Sequence, residues 1–135
     1  MSQRTLLLLK PDAVRRGLVG NILGRFEAKG LTLVAMDMRL IDGATADEHY
    51  AEHVARDFYP PLREFVTGGP LVACVLEGDE AIEVVRAING ATDGRKAAPG
   101  TIRGDLSLSN RENLVHGSDS PESAEREIKI WFPDL

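Results

Sequence analysis

The 135-residue chain has one cysteine, Cys74, so no disulfide can close within it and no cysteine-rich metal cluster can form. Cys74 lies in the apolar run PLVACVLEG and reads as a small core residue. Positive charge is not in excess either: 16 Lys and Arg stand against 21 Asp and Glu, for a net charge of −5. That balance argues against the basic footprint of a protein whose primary role is nucleic-acid binding. A few local cations and backbone N–H groups can still hold a smaller anion. No apolar run is long enough to span a bilayer, and MSQRTLLLLKPDA lacks the apolar region and cleavage site of a secretory signal. The expectation is a cytoplasmic protein with no membrane partner, folded as one domain over residues 1–135.

What is present is strong patterning. RTLLLLK, residues 4–10, is a continuous apolar run that suits a strand buried on both faces, stopped by Pro11. Val19, Ile22, Leu23 and Phe26 then recur at spacings of three and four, predicting one amphipathic helix through this segment that Gly30 terminates. LTLVAMDMRLI predicts a strand with Asp37 and Arg39 on a polar face opposite Met36, Met38 and Leu40. Two helices follow, TADEHYAEHVA with Thr45 as its N-cap and PPLREFVTG opening at a proline pair. PLVACVLEG is a second buried strand, and DEAIEVVRAING carries Ile82, Val85 and Ile88 on one helical face. Residues 91–112 show no sustained period, and a loop of that length in a small domain tends to be functional or disordered. NLVHG and SPESAEREIKIWF close the chain as strand and helix, with Ser120 as N-cap. The order is a βαββαβ core with additions, an α+β ferredoxin-like sandwich whose antiparallel sheet is covered by helices.

His116, at the end of the last strand, is followed by Gly117, which removes bulk where a ligand must approach. By residue type alone it is either a hydrogen-bonded histidine at a strand end or a reactive one. The next helix bears on the choice. Ala124, Glu127, Ile128 and Trp131 share one face, so Glu127 points inward along an apolar stripe. A buried carboxylate needs a partner, and His116 is the nearest obvious one. A glutamate accepting one imidazole N–H fixes the tautomer and leaves the other nitrogen free as nucleophile or base. Ser118, Asp119 and Ser120 either add hydrogen bonds there or cap the helix.

Lys10 at the end of a buried strand, Arg86 in an apolar helix and Arg103 in the long loop are each either a solvated surface cation or one of the cations a phosphoryl-transfer site needs. His49 and His53 are four apart in HYAEH, a spacing that can hold zinc, but Tyr50 stands where the helical zinc motif has glutamate. GLVGNILG lacks both the P-loop ending and the dinucleotide-binding spacing, so Gly20 and Gly24 read as helix-packing residues.

Taken together, KPDAV after the first strand, HY on the third helix, PGTIRGD in the long loop and NLVHGSDSPESAEREI closely resemble nucleoside diphosphate kinases, in order and over essentially the whole chain. The resemblance implies a ping-pong reaction in which a nucleoside triphosphate such as ATP phosphorylates His116 through Nδ1, and the phosphohistidine passes the group to a nucleoside diphosphate. It implies catalytic or supporting roles for Glu127, Lys10 and Tyr50. It implies phosphate contacts from Lys10, Arg86, Thr92 and Arg103, a ribose 3′-hydroxyl contact from Asn113 with Lys10, and base stacking on Phe58 beside Leu62. Stacking is indifferent to base identity, which accounts for broad nucleotide acceptance. Mg2+ is expected to arrive on the phosphates, with no protein ligand proposed. The family's assemblies are homo-oligomers, and the short FPDL end leads to the expectation of a hexamer, with a tetramer as the other form. Asp93, Gly94, Leu106 and Asn110 depart from the usual pattern around the base and the loop.

Overall fold

A computed structural model describes residues 2–135; Met1, the first residue of the expected single domain, lies outside the described residues. Its elements are β1 (Ser2–Leu9), α1 (Pro11–Arg15), α2 (Val19–Lys29), β2 (Thr32–Arg39), α3 (Gly43–His49), α4 (Tyr59–Thr67), β3 (Leu71–Asp79), α5 (Ala81–Asn89), α6 (Ile102–Leu106), β4 (Val115–Gly117) and α7 (Pro121–Trp131). The strands form one sheet in the order β2-β3-β1-β4, every pair antiparallel. This is the α+β ferredoxin-like sandwich expected from the element order.

β1 is central, and its two faces feed two cores. Leu7 and Leu9 join Val72, Cys74, Ile22, Phe26 and Val85 on one side. Leu6 and Leu8 meet Leu71, Ala73, Val66 and Trp131 on the other. Four consecutive leucines are therefore all buried, because side chains alternate across a sheet covered on both faces. Cys74 is a buried free thiol, and that burial pushes its pKa up to about 12, so it stays an inert core residue.

Several boundaries differ from the sequence expectation. The first helical stretch is broken into α1 and α2 because Gly17 adopts φ of 70°, a turn that ordinary side chains resist. Gly30 does close α2, in the left-handed conformation at φ of 106°. Asp42, not Thr45, caps α3: its carboxylate accepts the Thr45 N–H, and the helix ends at His49. The long loop contains α6, whose start is fixed by Thr101 accepting the Gly104 N–H.

β2 departs most in its facing. Met36, Met38 and Leu40 are exposed by 54%, 56% and 67%. β2 is the edge strand, and an irregularity between Leu33 and Ala35 shifts its register against β3, so this apolar row is left open.

Candidate active site

The chemistry-bearing residues converge at one end of the sheet, where β1 and β4 run side by side. Pro11 ends β1 and opens α1, so Lys10 stands at the junction with extended backbone and its side chain is buried. The ammonium donates to Asn113 Oδ1 at 2.8 Å. Asn113 Nδ2 in turn donates to the carbonyls of Thr92 and Asn110. β4 pairs His116 with Leu8 of β1, two residues before Lys10, so the imidazole stands near the end of β1 that leads into the lysine.

Behind His116, α7 presents Glu127 as the helix-face reading expected. Glu127 is 5% exposed, and its Oε1 lies 3.2 Å from His116 Nε2. A carboxylate only accepts, so Nε2 carries the proton and Nδ1 keeps its lone pair. Ser118 Oγ donates to the same Oε1 at 2.7 Å while accepting the Leu6 N–H, tying the carboxylate to the central strand. Of the Ser118–Ser120 run, then, Ser118 buttresses the site and Ser120 caps α7 through the Ser123 N–H.

Gly117 has a second use beyond access. A Cβ there would meet Asn89 Nδ2 at 3.0 Å and Val85 Cγ1 at 3.1 Å, so the glycine lets α5 approach β4 closely. That approach brings Arg86 to the cleft, where it makes no side-chain hydrogen bond among the described residues.

Two clefts flank Lys10. One, of about 590 Å³, is lined by Lys10, Tyr50, Arg86, Thr92, Arg103, Asn113 and His116, with Asp119 as its single carboxylate. The other, of about 540 Å³, is lined by Phe58, Leu62, Leu108, Asn110 and again Lys10, Thr92 and Asn113. The shared residues join them into one groove, cationic at the His116 end and more apolar at the Phe58 end. Phe58 is half-exposed, an aromatic face left open at the groove mouth. All ten residues to which the resemblance gives site roles therefore gather here, nine on the groove walls and Glu127 behind the imidazole.

Electrostatics at the cationic end are set by burial. Burial first, and Arg103 second, lower the Lys10 pKa to about 8, with Asp12 opposing. Arg103 is lowered to about 10, again by burial and then by Arg86. Burial raises the Tyr50 hydroxyl well above its ordinary value, so it stays a neutral phenol. A clustered set of cations held at this cost, outnumbering the one carboxylate that lines the cleft, is suited to binding negative charge. Between about pH 8 and the unfolded lysine value of 10.5, the unfolded chain binds the proton that folded Lys10 has released, so stability is expected to rise with pH. Over the same interval kcat/KM is expected to fall as the cation is lost. Denaturant midpoints and kcat/KM measured from pH 7 to 10 check the opposed signs, and Lys10→Met is expected to remove both trends.

The zinc reading of His49 and His53 fails on geometry. α3 ends at His49, so the two are not successive on one helical face. His49 does lie near His116 and Glu127, with ligand atoms of all three within 4.8 Å. However, Trp131 Nε1 donates to His49 Nδ1 at 3.0 Å, which puts the imidazole proton on Nε2. A metal at Nε2 would leave that ring with no N–H at all, whereas metal-bound histidines keep one to donate. Burial, with His116 next, holds the His49 pKa well below its usual value. His49 is a neutral ring packed edge-on against His116 at 4.7 Å between centroids. The sequence marked it only by its spacing from His53 and its place in the HY motif, and not by this packing role, which depends on Trp131, 82 residues away.

The departures in the loop are accommodated. Asp93 pairs with Arg95 through both carboxylate oxygens, and Gly94 packs so closely on the Ser107 backbone that no side chain fits there. Leu106 is half-buried against the α2 side of the core, and Asn110 lines the groove beside Phe58.

An α+β sandwich that gathers a carboxylate-backed histidine and three cations at one sheet end defines a class of phosphate-handling enzyme. The comparisons carry the class to a family. Residues 3–135 match the family described as nucleoside diphosphate kinase. A nucleoside diphosphate kinase of Nocardioides sp. is 81% identical with both chains fully covered, and one of Rhodococcus jostii is 64% identical over 100% of this chain and 98% of its own. Among solved structures, a halophilic nucleoside diphosphate kinase from Halobacterium salinarum in complex with CDP aligns with a TM-score of 0.96 at 47% identity, covering 99% of this chain and 90% of that one. The apo enzyme from Encephalitozoon cuniculi gives 0.95 at 38% identity, over 98% and 90%. The chain belongs to the nucleoside diphosphate kinase family and is a phosphotransferase.

Proposed function

We propose that the protein transfers the γ-phosphoryl group of a nucleoside triphosphate, ATP foremost, to nucleoside diphosphates by a ping-pong route through phospho-His116, and so supports GTP, UTP, CTP and dNTP synthesis. The observation that carries this reading is the Glu127 carboxylate, braced by Ser118, at Nε2 of His116: an acceptor there favours the proton on Nε2 and leaves the Nδ1 lone pair free. In the first half-reaction Nδ1 bonds to the γ-phosphorus as the bond to the β-γ bridging oxygen breaks, and the nucleoside diphosphate leaves with the electron pair. The second half-reaction reverses this with a different diphosphate. Glu127 gains from the charge that develops on the ring, since its carboxylate accepts the Nε2 proton's hydrogen bond throughout.

Lys10, Arg86 and Arg103 neutralise the phosphate oxygens, and Thr92 and the Tyr50 hydroxyl reach the same cleft. Lys10 and Asn113, already joined, meet the ribose 3′-hydroxyl, and the base stacks on Phe58 beside Leu62. CDP in the Halobacterium relative supports a nucleotide in this groove. The donor set fits Mg2+ carried in on the phosphates, because the cleft offers one carboxylate, Asp119, to hold its water shell and no oxygen cage. Bound there, the ion adds charge neutralisation to the transferring oxygens.

No helix among the described residues is long and apolar enough to cross a membrane. We place the activity in the cytoplasm, on nucleotide pools. The open apolar row of Met36 and Met38 on edge strand β2 and Leu40 just after it supports a homo-oligomer, for which a hexamer is the expected form and a tetramer the alternative. Incubation with γ-labelled ATP is expected to label the chain itself in an acid-labile, base-stable form, and the label is expected to appear in UTP when UDP is added. UTP formed with no labelled protein at any time would overturn the ping-pong route.

A further inference from the structure

Leu114, two residues before His116, is fully buried and adopts φ of 73°. The Val115 N–H donates to the Asn113 carbonyl at 2.8 Å, closing a three-residue γ-turn around it. That turn is rare and strained, and a branched side chain in the left-handed region persists only when its surroundings over-determine it. The strain sits between two groups of the site, since Asn113 begins the turn and β4 carries His116 out of it.

Two clamps hold the turn. Arg103 grips one side, with Nε donating to the Asn113 carbonyl at 3.2 Å and Nη2 to the Val115 carbonyl at 2.6 Å. The segment after β1 grips the other: the Lys10 N–H donates to the Leu114 carbonyl at 2.8 Å, and the Leu114 N–H donates to Asp12 Oδ2 at 3.1 Å. Both backbone groups of the strained residue are thus taken by residues 10–12.

Asp12 is otherwise a poor resident for its position. It is 1% exposed, and among the described residues its Oδ1 has no hydrogen-bond partner. Burial raises its pKa, against the pull of Lys10. A carboxylate with an idle buried oxygen is a weaker choice for stability than an apolar residue of the same volume. What an apolar residue cannot do there is accept the Leu114 N–H.

We propose that Asp12 is a positioning residue for phosphoryl transfer: its carboxylate holds the Leu114 turn, and thereby sets Asn113 at the ribose and His116 at the phosphoryl group in working register. This rests on the nucleoside diphosphate kinase reading given above. Asp12 acts on sugar and phosphate through the turn; its charge, which also favours the Lys10 ammonium, is lost alike in both variants below, so their difference reports the turn.

The test compares Asp12→Leu, which fills the volume without an acceptor, with Asp12→Asn, which keeps a carbonyl acceptor. Asp12→Leu is expected to lower kcat/KM for nucleoside diphosphates by about 100-fold, the scale set by small misplacements of reacting groups. It is also expected to narrow the preference for ribose over 3′-deoxyribose diphosphates by about tenfold, because Asn113 is displaced. Asp12→Asn is expected to keep both quantities within about fivefold of the parent. A carboxylate that served stability alone would lower the denaturation midpoint and leave the sugar preference where it was. Parental rates in Asp12→Leu, equal losses in both variants, or slowed transfer with an unchanged sugar preference would each overturn the proposal. If Asp12→Leu does not fold, amide exchange in the parent protein decides: a Leu114 N–H protected like the β1 amides supports the clamp, and one exchanging like an open loop overturns it. Absence of any phosphohistidine in the parent protein would sink the functional reading itself, whereas an active parent with an indifferent Asp12→Leu sinks this inference alone.

Discussion

His116→Ala is expected to bind nucleoside triphosphates much as the parent does and to transfer no phosphoryl group, a loss on the order of 10⁵-fold or down to assay background. The asymmetry follows from where the imidazole stands. Its side chain is 24% exposed, and its Nε2 is occupied by Glu127, so the ring contributes one lone pair to the cleft and little of the groove's wall. Binding falls instead to Lys10, Arg86, Arg103 and the Phe58 end, none of which His116 holds in place. A ping-pong route also has no detour. Without Nδ1 the γ-phosphoryl group has no resting place between donor and acceptor, and the neutral His49 ring behind is too buried to take over. Label retention after γ-labelled ATP and isothermal titration with a triphosphate measure the two halves of the expectation. Labelled His116→Ala protein would move the intermediate to another residue.

How much of this was legible beforehand depends on whether a residue's role is local. Glu127 was readable because a carboxylate on the apolar stripe Ala124, Ile128 and Trp131 contradicts its neighbours unless something pairs it. Lys10 was readable because Pro11 fixes where β1 must stop. The leucine run implied a strand covered on both sides, and both cores are there. Roles that depend on distant partners were not readable. Ser118 looks like part of a helix cap until Leu6 and Glu127 arrive from 112 and 9 residues away. Asp12 looks like an ordinary acid at a helix start, since nothing local announces that Leu114 will turn left-handed beside it. The alternation in β2 gave a polar face and an apolar one, but periodicity alone does not say which strand ends up at the sheet edge with its apolar row open. Nor could a threonine at 101 or a glycine at 17 declare a short α6 or a split first helix, since the cap and the positive φ appear only once the chain is folded.

Arg103→Lys is the second large effect, and it separates charge from shape. The sequence marks Arg103 as a cation for phosphate in a glycine-bearing loop, but its guanidinium also donates to three carbonyls from three segments: Gly90 at the end of α5, Asn113 in the turn and Val115 in β4. A planar fork makes three such bonds at once while its remaining N–H groups face the cleft; an ammonium is a single point with three donors and cannot span them. Lysine therefore keeps the charge near the phosphates and releases the frame. Buried carbonyls left without donors cost roughly 1–3 kcal/mol each. A net loss of about 3 kcal/mol, lowering the melting temperature by about 10 °C, is the expected stability effect. On activity the loss is expected to reach about 10³-fold in kcat, since one aimed donor to the transferring group and the register of Asn113 with His116 fail together. The division between kcat and KM is the informative part. A residue that only attracted phosphate would raise KM and spare kcat when replaced by another cation, whereas a residue that shapes the turn lowers kcat even under saturating nucleotide. Steady-state kinetics at saturating ATP with a thermal melt on the same preparation make the distinction, and an Arg103→Lys protein with parental kcat would reduce Arg103 to a charge.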